Sequence, residues 1–193
     1  PSHPYFTHRR KLLYLSRLEA GQVDLDLKEF DLSALLQAQP RRVERQVEQA
    51  GVQLRVVAPE SLPIVADQGR LEQVVVNLLD NALRFTPPGG TITIRAVAGG
   101  EGVTIRVHNT GSFIPPAEIP RVFERFYQAD SSRAGEGTGL GLAIVREIVL
   151  AHGGTVQAQS HPEEGTEFVV TLPLRQAPAI ALRRSDRSRL VAR

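Results

Sequence analysis

Asn77 and Asn81 stand four residues apart in the run Asn77-Leu78-Leu79-Asp80-Asn81. Residues i and i+4 share one face of a helix, so both amides point the same way. Two amide oxygens there can serve a hard cation such as Mg2+, which prefers oxygen ligands and keeps several waters. Most asparagine pairs at this spacing are only exposed polar residues. The surrounding run is apolar, however, and an amide turned inward is costly without a partner. Arg84, one turn further on, can reach phosphate oxygens. Phe85 can pack on a flat base, or serve as ordinary core.

Three more clusters follow. Gly137-Thr138-Gly139-Leu140-Gly141-Leu142 opens an apolar helical stretch. Glycines let backbone N–H groups approach a phosphate closely, and a helix N-terminus favours an anion. A dinucleotide fingerprint needs a strand directly before the glycines, but residues 129–136 are polar. A P-loop needs Gly-Lys-Ser/Thr, which is absent. The glycines therefore meet phosphate in some third architecture, or only form a flexible turn. Asn109-Thr110-Gly111-Ser112-Phe113-Ile114-Pro115 ends a strand, where a polar side chain beside a tight turn can read a base edge. Gly165-Thr166-Glu167-Phe168 enters the last strand.

The elements that must hold these clusters can be read from periodicity. Leu12, Leu13, Leu15 and Leu18 fall on one face of a helix over 9–20, which Gly21 ends. Residues 22–30 read as a linker. Asp31 or Ser33 caps a helix running to about Ala50, bent at Pro40, and Gly51 ends it. Strands are expected at 52–57 and 64–66. Asp67 then opens an apolar helix to Phe85, followed by the turn Pro87-Pro88-Gly89-Gly90. Residues 91–97 and 103–108 form a hairpin about Gly99-Gly100. A long irregular stretch, 109–138, contains one short helix at 117–122, and loops of that length are usually functional. A helix over 140–152 and a hairpin of 156–159 with 167–172 complete the chain. Helices and strands that do not alternate strictly predict a helical layer over one face of a mixed sheet.

The four clusters, in this order, resemble the N box, the two glycine boxes and the final Gly-Thr of the GHKL ATP-binding fold. That fold is shared by histidine kinases, gyrase, Hsp90 and MutL. Phe123-Glu124-Arg125-Phe126-Tyr127 resembles the phenylalanine box of the histidine kinase lid. Leu15-Ser16-Arg17-Leu18-Glu19-Ala20-Gly21 resembles the end of a dimerisation helix that precedes a kinase catalytic domain. The resemblance covers about residues 12–174. It implies an α+β, two-layer α/β sandwich (the Bergerat fold), with a mixed, mostly antiparallel sheet covered by about three helices. It also implies three regions: 1–29 as helix end and linker, 30–174 as the ATP-binding catalytic domain, and 175–193 as a basic, disordered tail.

By the same resemblance, ATP and Mg2+ are the cofactors. Asn77 and Asn81 would hold the metal on the triphosphate, Arg84 would contact phosphate, and Phe85 would pack near adenine. Asn109 stands where the family usually has an aspartate that accepts from the adenine amino group. Gly137, Gly139 and Gly141 would let the lid and helix start close on phosphate, and Thr166 would support the adenine network. Arg133 would reach the terminal phosphate from the lid. Gly111, Ile114, Phe126, Thr138, Leu140 and Leu142 complete the expected ATP-binding set. Two departures stand out: Asn109 lacks the charge of aspartate, and Phe113 replaces the usual second glycine. Loss of one charge-assisted hydrogen bond weakens binding by about 1–2 kcal/mol. Phe113 would stiffen the lid hinge or tighten the pocket.

Asn77 discriminates within the fold. Gyrase-like members carry a glutamate there as base for an attacking water, and an amide cannot take that proton. This favours phosphoryl transfer to a protein histidine, with catalysis by positioning and charge neutralisation. The alternatives are a degenerate nucleotide-binding interaction module without catalysis, or a GHKL ATPase or serine kinase. His3, His8, His108, His152 and His161 all lack the setting of a phosphoacceptor, and His152 reads as a cation at a helix C-terminus. The chain is thus expected to bind ATP with little of its own to phosphorylate, and to be mainly monomeric. Its expected partners are its own dimerisation and phosphoacceptor domain, as a homodimer in the full-length protein, and a response regulator receiver domain.

Composition sets outer bounds. The 193 residues, 41% hydrophobic, suffice for one core. There is no cysteine, which excludes disulfides, thiolate zinc sites and a cysteine nucleophile. There is no methionine either, which reads as an internal piece of a longer protein. The net charge of +2 conceals a tail, 175–193, with six arginines and one aspartate, so the remainder is acidic. The tail reads as a solvated end, with no nucleic-acid motif. No apolar run approaches the roughly 20 residues that span a bilayer. The fragment is expected to be cytoplasmic without membrane contact, its parent anchored, if at all, in the bacterial inner membrane.

Overall fold

The computed structural model describes residues 13, 15–16, 24–100, 102–128 and 138–174. Asp31 starts the helical region: its carboxylate accepts from the N–H groups of Ser33 and Ala34, satisfying donors that a helix start leaves free. The single bent helix expected over 31–50 is instead three short ones, α1 (Leu32–Gln37), α2 (Gln39–Arg42) and α3 (Glu44–Ala50). Pro40 sits in the first turn of α2, where its missing N–H costs nothing, but it cannot continue the ladder of α1. Gly51 ends α3 at φ 63°, a left-handed conformation that glycine adopts without strain.

The expected linker over 22–30 needs correction. Lys28–Asp31 forms β1, which pairs antiparallel with β3 (Pro63–Ala66) as a separate two-stranded sheet. The Lys-Glu-Phe-Asp sequence has no strand pattern of its own, and the pairing partner lies over 30 residues away. Backbone hydrogen bonding to β3, not side-chain alternation, makes this strand.

The main sheet contains β2 (Gln53–Val57), β4 (Thr91–Gly99), β5 (Gly102–Asn109), β6 (Thr155–His161) and β7 (Gly165–Pro173), in the order β2-β4-β5-β7-β6. Only the β2–β4 pair is parallel; the other three are antiparallel. One face carries Ile92, Ile94, Ala96, Val103, Ile105, Val107, Phe168, Val170 and Leu172, all buried. Two helices cover it. Helix α4 (Gln68–Phe85) buries Leu71, Val74, Val75, Leu78, Leu79 and Ala82, the i, i+3, i+4, i+7 stripe of an amphipathic helix. Helix α5 (Gly141–Ala151) buries Ala143, Ile144, Val145, Ile148 and Val149. Each such Leu, Ile or Val, fully buried, contributes about 1.5–3 kcal/mol. Leu15 is buried in the same core. The expected α+β sandwich, a mixed sheet with helices packed on it, is what forms. The helix expected at 117–122 is a single 3-10 turn, Ile119–Arg121.

His152 also needs correction. It is 1% exposed and neutral rather than a C-terminal cation. Its Nδ1–H donates to Ile148 O (2.8 Å) and its Nε2 accepts from the Asp67 N–H (3.1 Å). Burial pushes its pKa below the ordinary value of 6.5, against the raising effect of the Ile148 bond.

Candidate functional site

The sheet register collects one end of the site. Asn109 on β5 stands opposite Thr166 on β7, which stands opposite Ser160 on β6. Asn109 and Thr166 are each 2% exposed, so their polar atoms need partners. Asn109 Nδ2 donates to Ser112 Oγ (2.9 Å), and the Ser112 hydroxyl donates to Thr166 Oγ1 (2.8 Å). Thr166 and Ser160 share a hydroxyl contact of 2.9 Å, and Ser160 Oγ accepts from the Ile114 N–H (2.9 Å). Gly165 lets β7 start against β5. At φ 103°, a Cβ there would meet Asn109 O at 2.1 Å.

The other end lies between α4 and α5. Asn77 and Asn81 are half-buried on α4. Asn77 faces the start of α5: a Cβ at Gly141 would lie 3.8 Å from its Oδ1. Asn77 Nδ2 is buried with no hydrogen-bond partner. An unsatisfied buried amide beside a glycine-rich helix start is what a ligand-binding position leaves open. No group of three or more His, Asp, Glu or Cys among the described residues could hold a metal. A cation at Asn77 and Asn81 would therefore need further oxygens from its ligand, which suits Mg2+ on a phosphate chain.

Glycine turns join the two ends. Gly111, at φ 75°, packs where a Cβ would lie 2.5 Å from Pro87 Cγ. Gly139, at φ 64°, lies against the Phe126 backbone, where a Cβ would meet its Cα at 2.6 Å. Phe126 itself has φ 60°, donates its N–H to Gly139 O (2.8 Å), and is 60% exposed. Such a non-glycine left-handed residue is strained and is held by its surroundings. Thr138 Oγ1 accepts from the Leu140 N–H at 3.2 Å; Leu140 is buried, while Leu142 and Ile114 are half-buried. Arg84 is exposed, with its guanidinium 5.2 Å from the centre of the half-buried Phe85 ring. Phe123 of the phenylalanine run packs edge-on against Phe168 at 6.1 Å, and Arg121 lies 4.5 Å over the Tyr127 ring. Phe113 is exposed.

The structure thus gathers Asn109, Gly111, Ile114 and Thr166 at the strand ends, and Asn77 and Gly141 at the helix seam. Arg133 and Gly137 lie outside the described residues. Sequence reasoning missed Ser112 and Ser160 as network members. Ser112 sat inside a cluster already singled out. Ser160 carried no signal beyond its inward place in strand alternation.

The family described as histidine kinase-, DNA gyrase B-, and HSP90-like ATPase matches residues 66–176. This chain belongs to that family. The ATPase-family chain is 40% identical to the sensor histidine kinase CusS of Escherichia coli K12 over 164 residues, 84% of this chain and 34% of CusS. It is similar in structure to full-length ShkA in complex with AMPPNP, with a TM-score of 0.79, 32% identity, and coverage of 90% of this chain and 36% of ShkA. It is also similar to the histidine kinase ThkA in complex with the response regulator TrrA, with a TM-score of 0.69, 25% identity, and coverage of 88% of this chain and 49% of ThkA. The chain spans about a third of the length of CusS. Family and fold agree on an ATP-binding catalytic domain of the histidine kinase type. No helix among its described residues is long and apolar enough to cross a membrane.

Proposed function

We propose that the chain is the catalytic part of a two-component sensor kinase, moving the γ-phosphoryl group of ATP to a histidine on a dimerisation domain of the same protein. The P–O bond to ADP breaks, a P–N bond to the imidazole forms, and ADP leaves with the electron pair. The observation that carries this reading is Asn77: an amide with an unsatisfied buried NH2, facing the glycine-rich start of α5. It can orient a ligand, but it cannot deprotonate a water. Transfer to a nucleophile better than water needs no base at that position, only positioning and charge neutralisation.

In this reading Asn109, supported by Thr166, meets the adenine edge with Gly111 and Ile114 beside it. Phe85 and Phe126 pack around the nucleotide, and Arg84 and Arg133 reach its phosphates. Thr138, Gly139, Leu140, Gly141 and Leu142 form the phosphate-side turn. Mg2+ fits Asn77 and Asn81, and would supply neutralisation of the triphosphate charge. The similarity to ThkA, whose complex holds a response regulator, supports a receiver domain as the next phosphoryl acceptor. The work belongs in the cytoplasm, where ATP is available.

Calorimetric titration with a non-hydrolysable ATP analogue tests the reading. Binding is expected to depend on Mg2+ and to weaken at least about tenfold in Asn81→Ala, the loss of one ligand hydrogen bond or metal contact. No binding at millimolar nucleotide would overturn it. Phosphate transfer from labelled ATP to a separately supplied dimerisation domain would then test the kinase step.

A further inference from the structure

The two helices on the phosphate side of the site run antiparallel. Asn77, midway along α4, faces Gly141 at the start of α5. The other end of the pair is joined by one side chain. His152, just past the end of α5, meets Asp67, just before the start of α4. Asn77 and Gly141 each lie about ten residues from that join, or ~15 Å of helix. Buried apolar residues of both helices, such as Leu71 and Val74 of α4 and Val145 and Ile148 of α5, belong to the same core.

The hydrogen-bonding sense of the join is fixed by backbone groups. The Ile148 carbonyl can only accept, so it takes the Nδ1 proton at 2.8 Å. The Asp67 N–H can only donate, so Nε2 at 3.1 Å is bare. A second proton on the ring would land on Nε2 and face the Asp67 N–H, donor against donor. The residue is 1% exposed, so the two donors find relief only by moving apart.

Asp67 carries more than this bond. Its Oδ1 caps α4 through the Arg70 N–H (3.0 Å), and its Oδ2 accepts from the Asp26 N–H (3.1 Å). A shift of the Asp67 backbone therefore moves the start of the helix that bears Asn77 and Asn81. Burial is the largest influence on the ring and keeps it neutral at neutral pH. The Ile148 bond and the Asp67 carboxylate favour the charged form, and the Arg70 guanidinium opposes it. Lys28 of β1 pairs with Asp26 and acts on Asp67.

We propose that His152 is a positioning residue for nucleotide binding: the neutral ring clamps the start of α4 to the end of α5 and keeps the phosphate seam in register, and a proton taken up at Nε2 opens the clamp and weakens binding. The proposal rests on the reading of the α4–α5 seam as the phosphate side of the ATP site. The neutral ring and the bound nucleotide favour the same arrangement of the helices, so each stabilises the other. Affinity is therefore full where the ring is neutral. It falls as pH drops through the folded pKa of the ring, which lies below 6.5. Simple attraction between an imidazolium and the phosphates would act the other way and tighten binding in acid.

The first test is NMR titration of the His152 ring in the wild-type chain, with and without saturating MgADP. Nucleotide is expected to move the midpoint to lower pH by about half a unit, which by reciprocity is about a threefold loss of affinity on protonation. An unchanged midpoint, or one moved to higher pH, would overturn the proposal. The second test is calorimetric titration with MgADP from pH 8 to 5.5 in the wild type and in His152→Gln. Glutamine keeps an acceptor for the Asp67 N–H and does not titrate, while the titration of ADP itself is common to both. The wild type is expected to lose about threefold more affinity than the variant over this range. A role in stability alone would shift affinity by the same factor at every pH, and such parallel profiles would overturn the proposal. The NMR titration needs no variant, so it decides should His152→Gln fold badly. Failure of the wild type to bind MgADP at pH 8 would instead remove the ATP-site reading, and the proposal with it.

Discussion

Asn109 is 2% exposed, and its amide bonds a serine three residues later, which in turn meets a threonine on another strand. This changes what a reversion to aspartate would do. A carboxylate has two acceptor ends and no donor. The Ser112 hydroxyl, 2.9 Å from the Asn109 side chain and 2.8 Å from Thr166 Oγ1, can turn to donate to that carboxylate while the Thr166 hydroxyl donates to Ser112 in its place. Asn109→Asp is therefore expected to raise ADP affinity by about tenfold, the worth of one charge-assisted hydrogen bond. Unchanged or lower affinity by calorimetry would contradict this. The asparagine spacing on α4 and the Asn109 position were legible in the sequence because each depends on short spacing. The Ser160 role was not, because its partners Ile114 and Thr166 come from other segments.

Among the elements, the β6–β7 hairpin carries the strictest demand. Gly165 combines φ 103° with a position where a Cβ would lie 2.1 Å from Asn109 O, a backbone atom that cannot yield without moving β5. Gly165→Ala is expected to destabilise the fold by more than about 2 kcal/mol in urea unfolding. Gly141 offers the contrast. Its nearest atom, Asn77 Oδ1, is at 3.8 Å, an ordinary contact, and it lies in the first turn of α5. Gly141→Ala is expected to keep stability within about 1 kcal/mol of the wild type. Helices α4 and α5 could be read from their apolar periods, since one buried stripe specifies an amphipathic helix. The break at Pro40 was read as a bend when it is a restart, because α1 to α3 are held by separate contacts rather than by one continuous ladder.

Across the whole molecule, His152 ties elements far apart in the chain. It joins the end of α5 to Asp67 at the start of α4. The Asp67 carboxylate in turn accepts from the N–H groups of Arg70 and Asp26. Burial is the main reason its pKa lies below the ordinary value. In the unfolded chain the imidazole titrates near about 6.5. Between that pH and the lower folded value, the unfolded chain binds more protons. Stability is thus full above about 6.5, falls as pH drops below it, and levels off under the folded pKa. Melting temperatures measured from pH 8 to 5 are expected to fall across this window. His152→Phe is expected to flatten the slope while lowering stability at pH 8 by about 1–3 kcal/mol, as the Asp67 N–H loses its acceptor. A second loss is expected below about pH 4. There Asp31, held low chiefly by the Leu62 N–H and then by the Ser61 hydroxyl, takes up its proton. From residue types and short spacings alone came the helices that carry Asn77 and Gly141, the glycine turns, the strand-end asparagine and the family resemblance, since each is written within a few consecutive residues. The β1–β3 pair, the strand order, the neutral state of His152 and the hydroxyl row from Asn109 to Ser160 were decided by tertiary structure. Their partners lie 54 residues apart for Ser112 and Thr166 and 85 for Asp67 and His152, and only the packed sheet and helices bring such groups within hydrogen-bond reach.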